Sequence, residues 1–396
     1  MHPLYKEAQA IQDKIISHRR HLHEVAEVGF DLPNTLRYVE STLTKLGYEV
    51  NPCGKAGLLT SIGAGESAVL LRADMDALPF SEQTNLPYAS KNDTMHACGH
   101  DMHSSMLLGA AELLRMHEKE LQGRVVLMFQ PAEEILSGAK DMIENGLLSI
   151  SKIKKAVMLH VATSAPFATG TVLLSPFGII SPSCDIFTLT VKGKQTHSSM
   201  AHLGKDAVLP LCHIIDAWQI LETRELPPSE KITLTVGQIS GGKAPNILPE
   251  HVQARGTLRV FDKEIRKKIQ GRMEGIANNI AAAMECQATL SFDMGCPSFI
   301  AEKDLVYEIE NTLIPLLTND FIKRPQDYMA SFPLGTGSED FAYLSHEMPT
   351  AMLVLCAGEK QNGYVYPLHH PEVIFDEKAL AYGAAVYAHL GLTLER

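Results

Sequence analysis

Met95-His96-Ala97-Cys98-Gly99-His100-Asp101-Met102-His103 puts three of the chain's 17 histidines within eight positions, with a cysteine and an aspartate among them. Thiolate, imidazole and carboxylate are the groups that hold divalent transition metals, and Gly99 lets the backbone turn tightly between Cys98 and His100. A redox cysteine or a histidine-rich helix start would give the same letters, so a metal reading needs ligands from elsewhere. Glu133, Glu134, His160 and His369 supply them. One zinc-type ion takes three or four protein ligands, so five or six convergent groups point to two ions, which in hydrolases lie about 3.5–4 Å apart. Paired ions polarise a carbonyl and hold a water whose proton is easily lost. Consecutive side chains diverge on a turning backbone. One of Glu133 and Glu134 can therefore ligate metal while the other stays outside and takes that proton as general base. An acidic pair favoured only by a helix dipole is the structural alternative.

Three apolar runs deliver these groups. Ala68-Val69-Leu70-Leu71-Arg72 ends at Asp74-Met75-Asp76, Val125–Phe129 ends at Gln130-Pro131-Ala132-Glu133-Glu134, and Ala156–Leu159 ends at His160. With helices expected at Met106–Leu114 and Ser137–Asn145, they predict parallel βαβ units. Such sheets bind ligands outside the carboxyl ends of their strands, so the candidates meet at one edge. Residues 5–26 and Pro33–Leu46 read as helices before the sheet. After Pro182 the pattern becomes strand Cys184–Val191, helix Asp206–Leu221, strands Lys231–Ile239 and Val252–Val260, helix Lys263–Met284 and strand Ala288–Phe292. That β-α-β-β-α-β order is ferredoxin-like. The α/β pattern then resumes with helix Asp304–Leu317, strand Ala351–Leu355, the loop Pro367-Leu368-His369-His370-Pro371 and helix Glu377–Leu390. The expected fold class is thus α/β: a mostly parallel sheet flanked by helices, formed by residues 1–182 and 295–396, with an α+β domain inserted at 183–294.

The 396 residues suffice for two domains, and 45% hydrophobic with 20% charged residues is the balance of a globular chain. Net charge is −11 and the pI about 5.9. The densest basic cluster, Arg266-Lys267-Lys268, sits in a helical pattern, so neither nucleic acid nor an anionic membrane is expected as a partner. No apolar run approaches the roughly 18–20 residues that span a bilayer. Met1 to Arg20 lacks the apolar core of a signal peptide, and the seven scattered cysteines are odd in number; both lead us to expect reduced thiols and a cytoplasmic location. His18, His21 and His23 do not share one helical face and read as surface and capping groups. Gly335-Thr336-Gly337 lacks the strand–loop–lysine context of a phosphate loop.

The chain resembles the amidohydrolase branch of the M20 metallopeptidases, which includes aminoacylase-like, hippurate-hydrolase-like, N-acetyl-diaminopimelate deacetylase-like and auxin-conjugate hydrolases. The motifs that carry the resemblance begin with Arg19-Arg20-x-Leu22-His23-Glu24, Leu71-Arg72-Ala73-Asp74-Met75-Asp76-Ala77-Leu78-Pro79, Met95 to Asp101 and Gln130-Pro131-Ala132-Glu133-Glu134. Gly193-x-x-Thr196-His197, Asn246-Ile247-Leu248-Pro249, Gly256-Thr257-Leu258-Arg259, Gly337-Ser338-Glu339-Asp340-Phe341 and His369-His370-Pro371 follow in order. The resemblance implies that Cys98, His100, Glu134, His160 and His369 hold two divalent ions, zinc or manganese, with cobalt or nickel also acceptable to such a donor set. Glu133 becomes the general base. Asp76 supports catalysis and, with Asp74 and Asp101, orients ligands. His197 polarises the substrate carbonyl from a partner subunit, and Asn246 and Arg259 hold the substrate carboxylate. The inserted domain becomes a lid and the surface of a homodimer. Ala26, Leu32, Asn34, Gln195 and Ser198-Ser199 depart from the usual pattern; the last two bear on substrate preference, since they flank the lid histidine. The expected reaction is hydrolysis of an N-acyl amino acid, N-acetyl or aromatic acyl. A dipeptidase or aminopeptidase of the same family is the first alternative. A catalytically retired metal-binding scaffold is the second, and the intact Glu133-Glu134 pair argues against it.

Overall fold

The structure, a computed structural model, describes residues 2–332 and 337–394. Gly335 and Thr336 of the glycine-containing triplet lie outside the described residues. The chain divides into two compact units: Met1–Ile180, Ile300–Gly335 and Glu339–Arg396 form the first, and Ser181–Phe299 with Thr336–Ser338 the second.

Among the described residues, the first unit holds an eight-stranded sheet in the order Asn51–Cys53, Gly57–Gly63, Arg124–Gln130, Ser67–Asp74, Lys152–Ala162, Thr350–Cys356, Val172–Leu174, Ile322–Lys323. Its four central strands run parallel. They are the apolar runs of the sequence, since a parallel strand covered on both faces has no polar side to show. The outer strands include antiparallel pairs, and Asn51–Cys53, Val172–Leu174 and Ile322–Lys323 are too short to leave alternation to read. Register aligns Asp74 with Gln130, Arg72 with Met158, and His160 with Val354. His160 therefore lies inside its strand, two residues short of the end at Ala162.

Helix boundaries differ from expectation at two places. Residues 5–26 form two helices, Pro3–Ala10 and Gln12–Glu24, interrupted at Ile11. The helix expected from Met106 starts at His100 and runs to Met116, buried along nearly all its length. Against it packs Ala379–Thr393, a helix apolar on every side because it is surrounded by the core. Gly383 makes that approach possible, since a Cβ there would stand 1.9 Å from the sulfur of Met106.

The second unit has a four-stranded antiparallel sheet ordered Ile232–Gly241, His251–Val260, Cys184–Lys192, Gln287–Cys296. Helices Val208–Thr223 and Lys263–Ala283 pack on the face that carries Phe187, Leu189, Val191, Val252, Ala254 and Leu258. The buried Trp218 anchors this core, its ring edge-on to Phe187 at 5.4 Å. Asp262 caps the second helix, accepting from the N–H groups of Glu264 and Ile265 at 2.8 and 2.9 Å. Thr196–His197 and Ile247–Leu248 make a separate two-stranded ladder.

Candidate active site

Gly99 sets the geometry of the Cys98 loop. Its φ of +86° turns the chain into the helix that begins at His100, and a Cβ there would meet Val161 Cγ2 at 2.4 Å, so no larger residue fits. His100 is thus a first-turn helical residue. Its Nδ1 donates to the backbone oxygen of Asp76 at 2.8 Å, which leaves Nε2 as a lone pair. Asp76 does more than this. Its two carboxylate oxygens accept the N–H groups of Glu133 at 3.0 Å and Glu134 at 3.2 Å. One aspartate therefore fixes the imidazole with its backbone and the adjacent glutamates with its side chain. Ala132, at φ +56°, supplies the left-handed turn that aims the pair.

A relay sequence reasoning did not find orients His160. His103 Nδ1 donates to Asp74 Oδ1 at 2.6 Å, and His103 Nε2 accepts the N–H of Val161 at 2.8 Å. The carbonyl of Val161 accepts from His160 Nδ1 at 2.8 Å, leaving His160 Nε2 as a lone pair 3.5 Å from Cys98 Sγ. Both nitrogens of His103 are committed, so it positions a neighbour and has no lone pair to offer a metal. The spacing of His100 and His103 hinted at this, since they sit one helical turn apart. His369 arrives from the far end of the chain. Its N–H donates to the oxygen of Ala97 at 2.9 Å, and it is held at φ +64°, a conformation that persists in a histidine only under constraint.

The ligating atoms of Cys98, His100 and His160 lie within 4.8 Å of one another, as do those of Cys98, Glu134 and His369, and those of His100, Glu133 and Glu134. Cys98 belongs to two of these groups. Nε2 of His100 and Oε1 of Glu134 are buried without a hydrogen-bond partner, 3.8 Å apart, and His369 Nε2 lies 3.6 Å from the same oxygen. Lone pairs that face each other with no proton donor between them fit a cation. The electrostatics agree. Burial pushes Glu133 well above the ordinary carboxyl range and Glu339 adds to the push; burial, with Asp76 and Asp74 nearby, raises Glu134 to about 7. Burial opposes charge on His100, yet Asp74 and Cys98 hold its pKa well above the usual value. Burial raises the Cys98 thiol and drops His160 to about 3. Burial thus works against negative charge on both glutamates, and divalent cations held by these donors would reverse that push. The donor set of one thiol, three imidazoles and a carboxylate suits zinc-type metals.

Behind the cluster stands Arg72, to which sequence reasoning gave no role. Its Nη1 donates to Asp74 Oδ2 at 2.7 Å, Nη2 to Glu339 Oε1 at 2.9 Å and Asp340 Oδ1 at 3.3 Å, and Nε to Gln130 at 2.9 Å. Arg72 and Asp340 are fully buried. Burial lifts Asp340 well above its usual range against the pull of Arg72, and Glu339 adds to the lift, while Arg72 holds Asp74 well below its own range despite burial. An arginine at the end of a buried apolar strand was the available signal. Asp101, expected to orient a ligand, is turned elsewhere: its Oδ2 accepts from Arg19 Nε at 2.7 Å and His23 Nδ1 at 2.8 Å. His23, expected with His18 to be a surface or capping group, is buried like His18 and also reaches Glu82 at 3.0 Å, so this is a separate buried ion cluster that ties the helix Gln12–Glu24 to the helix bearing His100.

In the second unit, His197 and Asn246 come together. His197 pairs in register with Ile247, and the N–H of Ser198 donates to the oxygen of Asn246 at 2.9 Å. Arg259 lies on the four-stranded sheet, its Nη1 donating to Ser338 Oγ at 2.8 Å.

The sequence pattern of peptidase family M20/M25/M40 matches residues 70–393. N-acetyl-L-cysteine deacetylase of Bacillus subtilis (strain 168) is 34% identical over 375 residues, or 93% of this chain and 85% of that protein. IAA-amino acid hydrolase ILR1-like 2 of Arabidopsis thaliana is 33% identical over 395 residues, 98% of this chain and 87% of its own. The crystal structure of the Bacillus subtilis YXEP protein, described as a dinuclear metal binding peptidase from the M20 family, has a TM-score of 0.77 at 28% identity, covering 98% of both chains. Likeness over this length, with the thiol, imidazole and carboxylate groups gathered at one sheet edge, means that the chain belongs to peptidase family M20/M25/M40 and is a metal-dependent hydrolase of amide or peptide bonds.

Proposed function

We propose that the chain removes a small acyl group from the nitrogen of an amino acid that keeps a free carboxylate. The observation that supports this reading is the different surroundings of the adjacent glutamates. Both carboxylates approach His100 Nε2, Glu134 to 3.8 Å and Glu133 to 3.9 Å, but Glu134 also clusters with Cys98 and His369, whereas Glu133 clusters with Glu339 and Asp340. Cys98, His100, Glu134, His160 and His369 are the residues that would hold metal. Two divalent cations there would polarise the scissile carbonyl and lower the pKa of the attacking water. Glu133 takes the proton of that water as it attacks, then delivers it to the leaving amine. Asp76 keeps Glu133 and Glu134 aimed through its two backbone hydrogen bonds. His197 donates a hydrogen bond to the acyl oxygen as charge develops on it, and Asn246 and Arg259 bind the substrate carboxylate.

The curated relatives named above, a deacetylase and an amino acid hydrolase, support the acyl-amino-acid substrate class. A panel of N-acetyl amino acids, N-benzoyl amino acids and free dipeptides tests it. We expect turnover on the acylated set and little on dipeptides; the reverse order would make the chain a dipeptidase instead.

The second unit serves in this reading as lid and dimer surface. Exposed Val208, Leu209 and Ile220 on one helix, and the edge strand Ile232–Gly241, support that role. If His197 serves the site of a partner copy, mixing Glu133→Gln with His197→Ala protein should restore activity that neither has alone. Absence of recovery after subunit exchange would place His197 in its own subunit's reaction. Reduced thiols and a cytoplasmic location complete the proposal, supported by seven cysteines that form no disulfide.

A further inference from the structure

His197 ends the strand Thr196–His197 and caps the short 3-10 helix Ser198–Leu203. The backbone N–H of Ser199 donates to His197 Nδ1 at 3.2 Å, and Ser199 Oγ lies 2.8 Å from the same nitrogen. A backbone N–H can only donate. Nδ1 must therefore carry its lone pair, and the hydroxyl, which rotates freely, must donate to it as well. The ring proton of the neutral imidazole is left on Nε2. That nitrogen takes no hydrogen bond from the described residues, and the side chain is exposed. The backbone beneath is fixed on both sides, by the ladder to Ile247 and by the bond from Ser198 N–H to the Asn246 oxygen. Donors on one nitrogen and a pinned backbone leave the ring few alternatives.

We infer that Ser199 is a positioning residue that locks His197 as an Nε2–H donor, so that the histidine presents a proton to an oxygen acceptor. The opposite tautomer would present a lone pair and repel a carbonyl oxygen. The ligand class follows: an acyl or carboxylate oxygen, and neither a metal ion nor a proton donor. The acyl oxygen of the substrate rests on the reading of His197 given above, whereas the tautomer lock stands on the local hydrogen bonds alone.

The test uses the full-length, metal-loaded enzyme with 15N-labelled histidine, and long-range proton–nitrogen correlation spectra at a pH where His197 is neutral, assigned by loss of the signal in His197→Ala. An Nε2-protonated pattern for His197 is expected in the unaltered enzyme. Ser199→Ala keeps the amide donor and loses the hydroxyl. It should weaken, without abolishing, the preference for the Nε2-protonated form and lower kcat about fivefold, the loss of one hydrogen bond of about 1 kcal/mol, with KM changed less than kcat. Ser199→Thr should restore both the spectrum and kcat. An Nδ1-protonated ring in the unaltered enzyme overturns the lock, as does a Ser199→Ala spectrum and kcat that do not move. Full turnover in His197→Ala would sink the catalytic reading of the histidine instead, and the spectra would then decide the lock by themselves.

Discussion

Glu133→Gln is expected to lower kcat by about 10²- to 10⁴-fold, the usual contribution of a positioned general base. The substitution is nearly isosteric and keeps the N–H that bonds to Asp76, so the turn carrying Glu134 stays in place. Metal content by elemental analysis and thermal unfolding should stay close to those of the unaltered protein. The loss should fall on kcat, because the amide side chain still fills the space and cannot accept a proton. Turnover within a few fold of normal would remove Glu133 from the mechanism. Turnover lost together with metal would instead make it a ligand.

The largest effect on stability is expected at Arg72. Arg72→Met leaves Asp74, Glu339 and Asp340 together in a buried site without the cation that offsets them. Breaking a buried ion pair by removing one partner costs about 3–5 kcal/mol, and here three partners are left. Chemical unfolding should show a loss at least of that size. Metal binding should weaken with it, since Asp74 Oδ2 lies 3.6 Å from His100 Nε2 and also anchors the His103 relay. Adding Glu339→Gln to Arg72→Met should recover part of the stability by removing one uncompensated charge. No recovery would mean that lost packing around the guanidinium, and not charge, sets the cost.

Much of the catalytic unit was legible because a strand buried on both faces has to be apolar, so the first acidic residue after the run marks its end, although His160 shows that a histidine can still lie inside the strand. Asp74 and the Glu133-Glu134 pair stood out in this way. The second unit was legible through alternation, since Phe187, Leu189 and Val191 face the core while Thr188 and Thr190 do not. His100 was misplaced on a loop. Cys-Gly-His reads as a turn, but a glycine at positive φ is also a sound helix start, and the two differ only in the hydrogen bonds that follow. The Arg72 cluster could not be assembled from the sequence at all. Its bonds to Glu339 and Asp340 span 267 and 268 positions, and no local pattern encodes a contact at that range. Asp101 shows the same limit: the family resemblance implies that it orients a ligand, and no local pattern shows that its carboxylate meets Arg19, 82 positions earlier.

These long reaches constrain how the protein is made. A ribosome delivers Arg72, Cys98 and His100 early, and their counterparts Glu339, Asp340 and His369 emerge only after the whole inserted unit has been synthesised. The nascent chain must carry an unmatched arginine and a half-built set of donors through that interval. The inserted unit has its own core around Trp218 and can fold while it waits. Truncated translation products should therefore contain a folded middle and a catalytic half that cannot close.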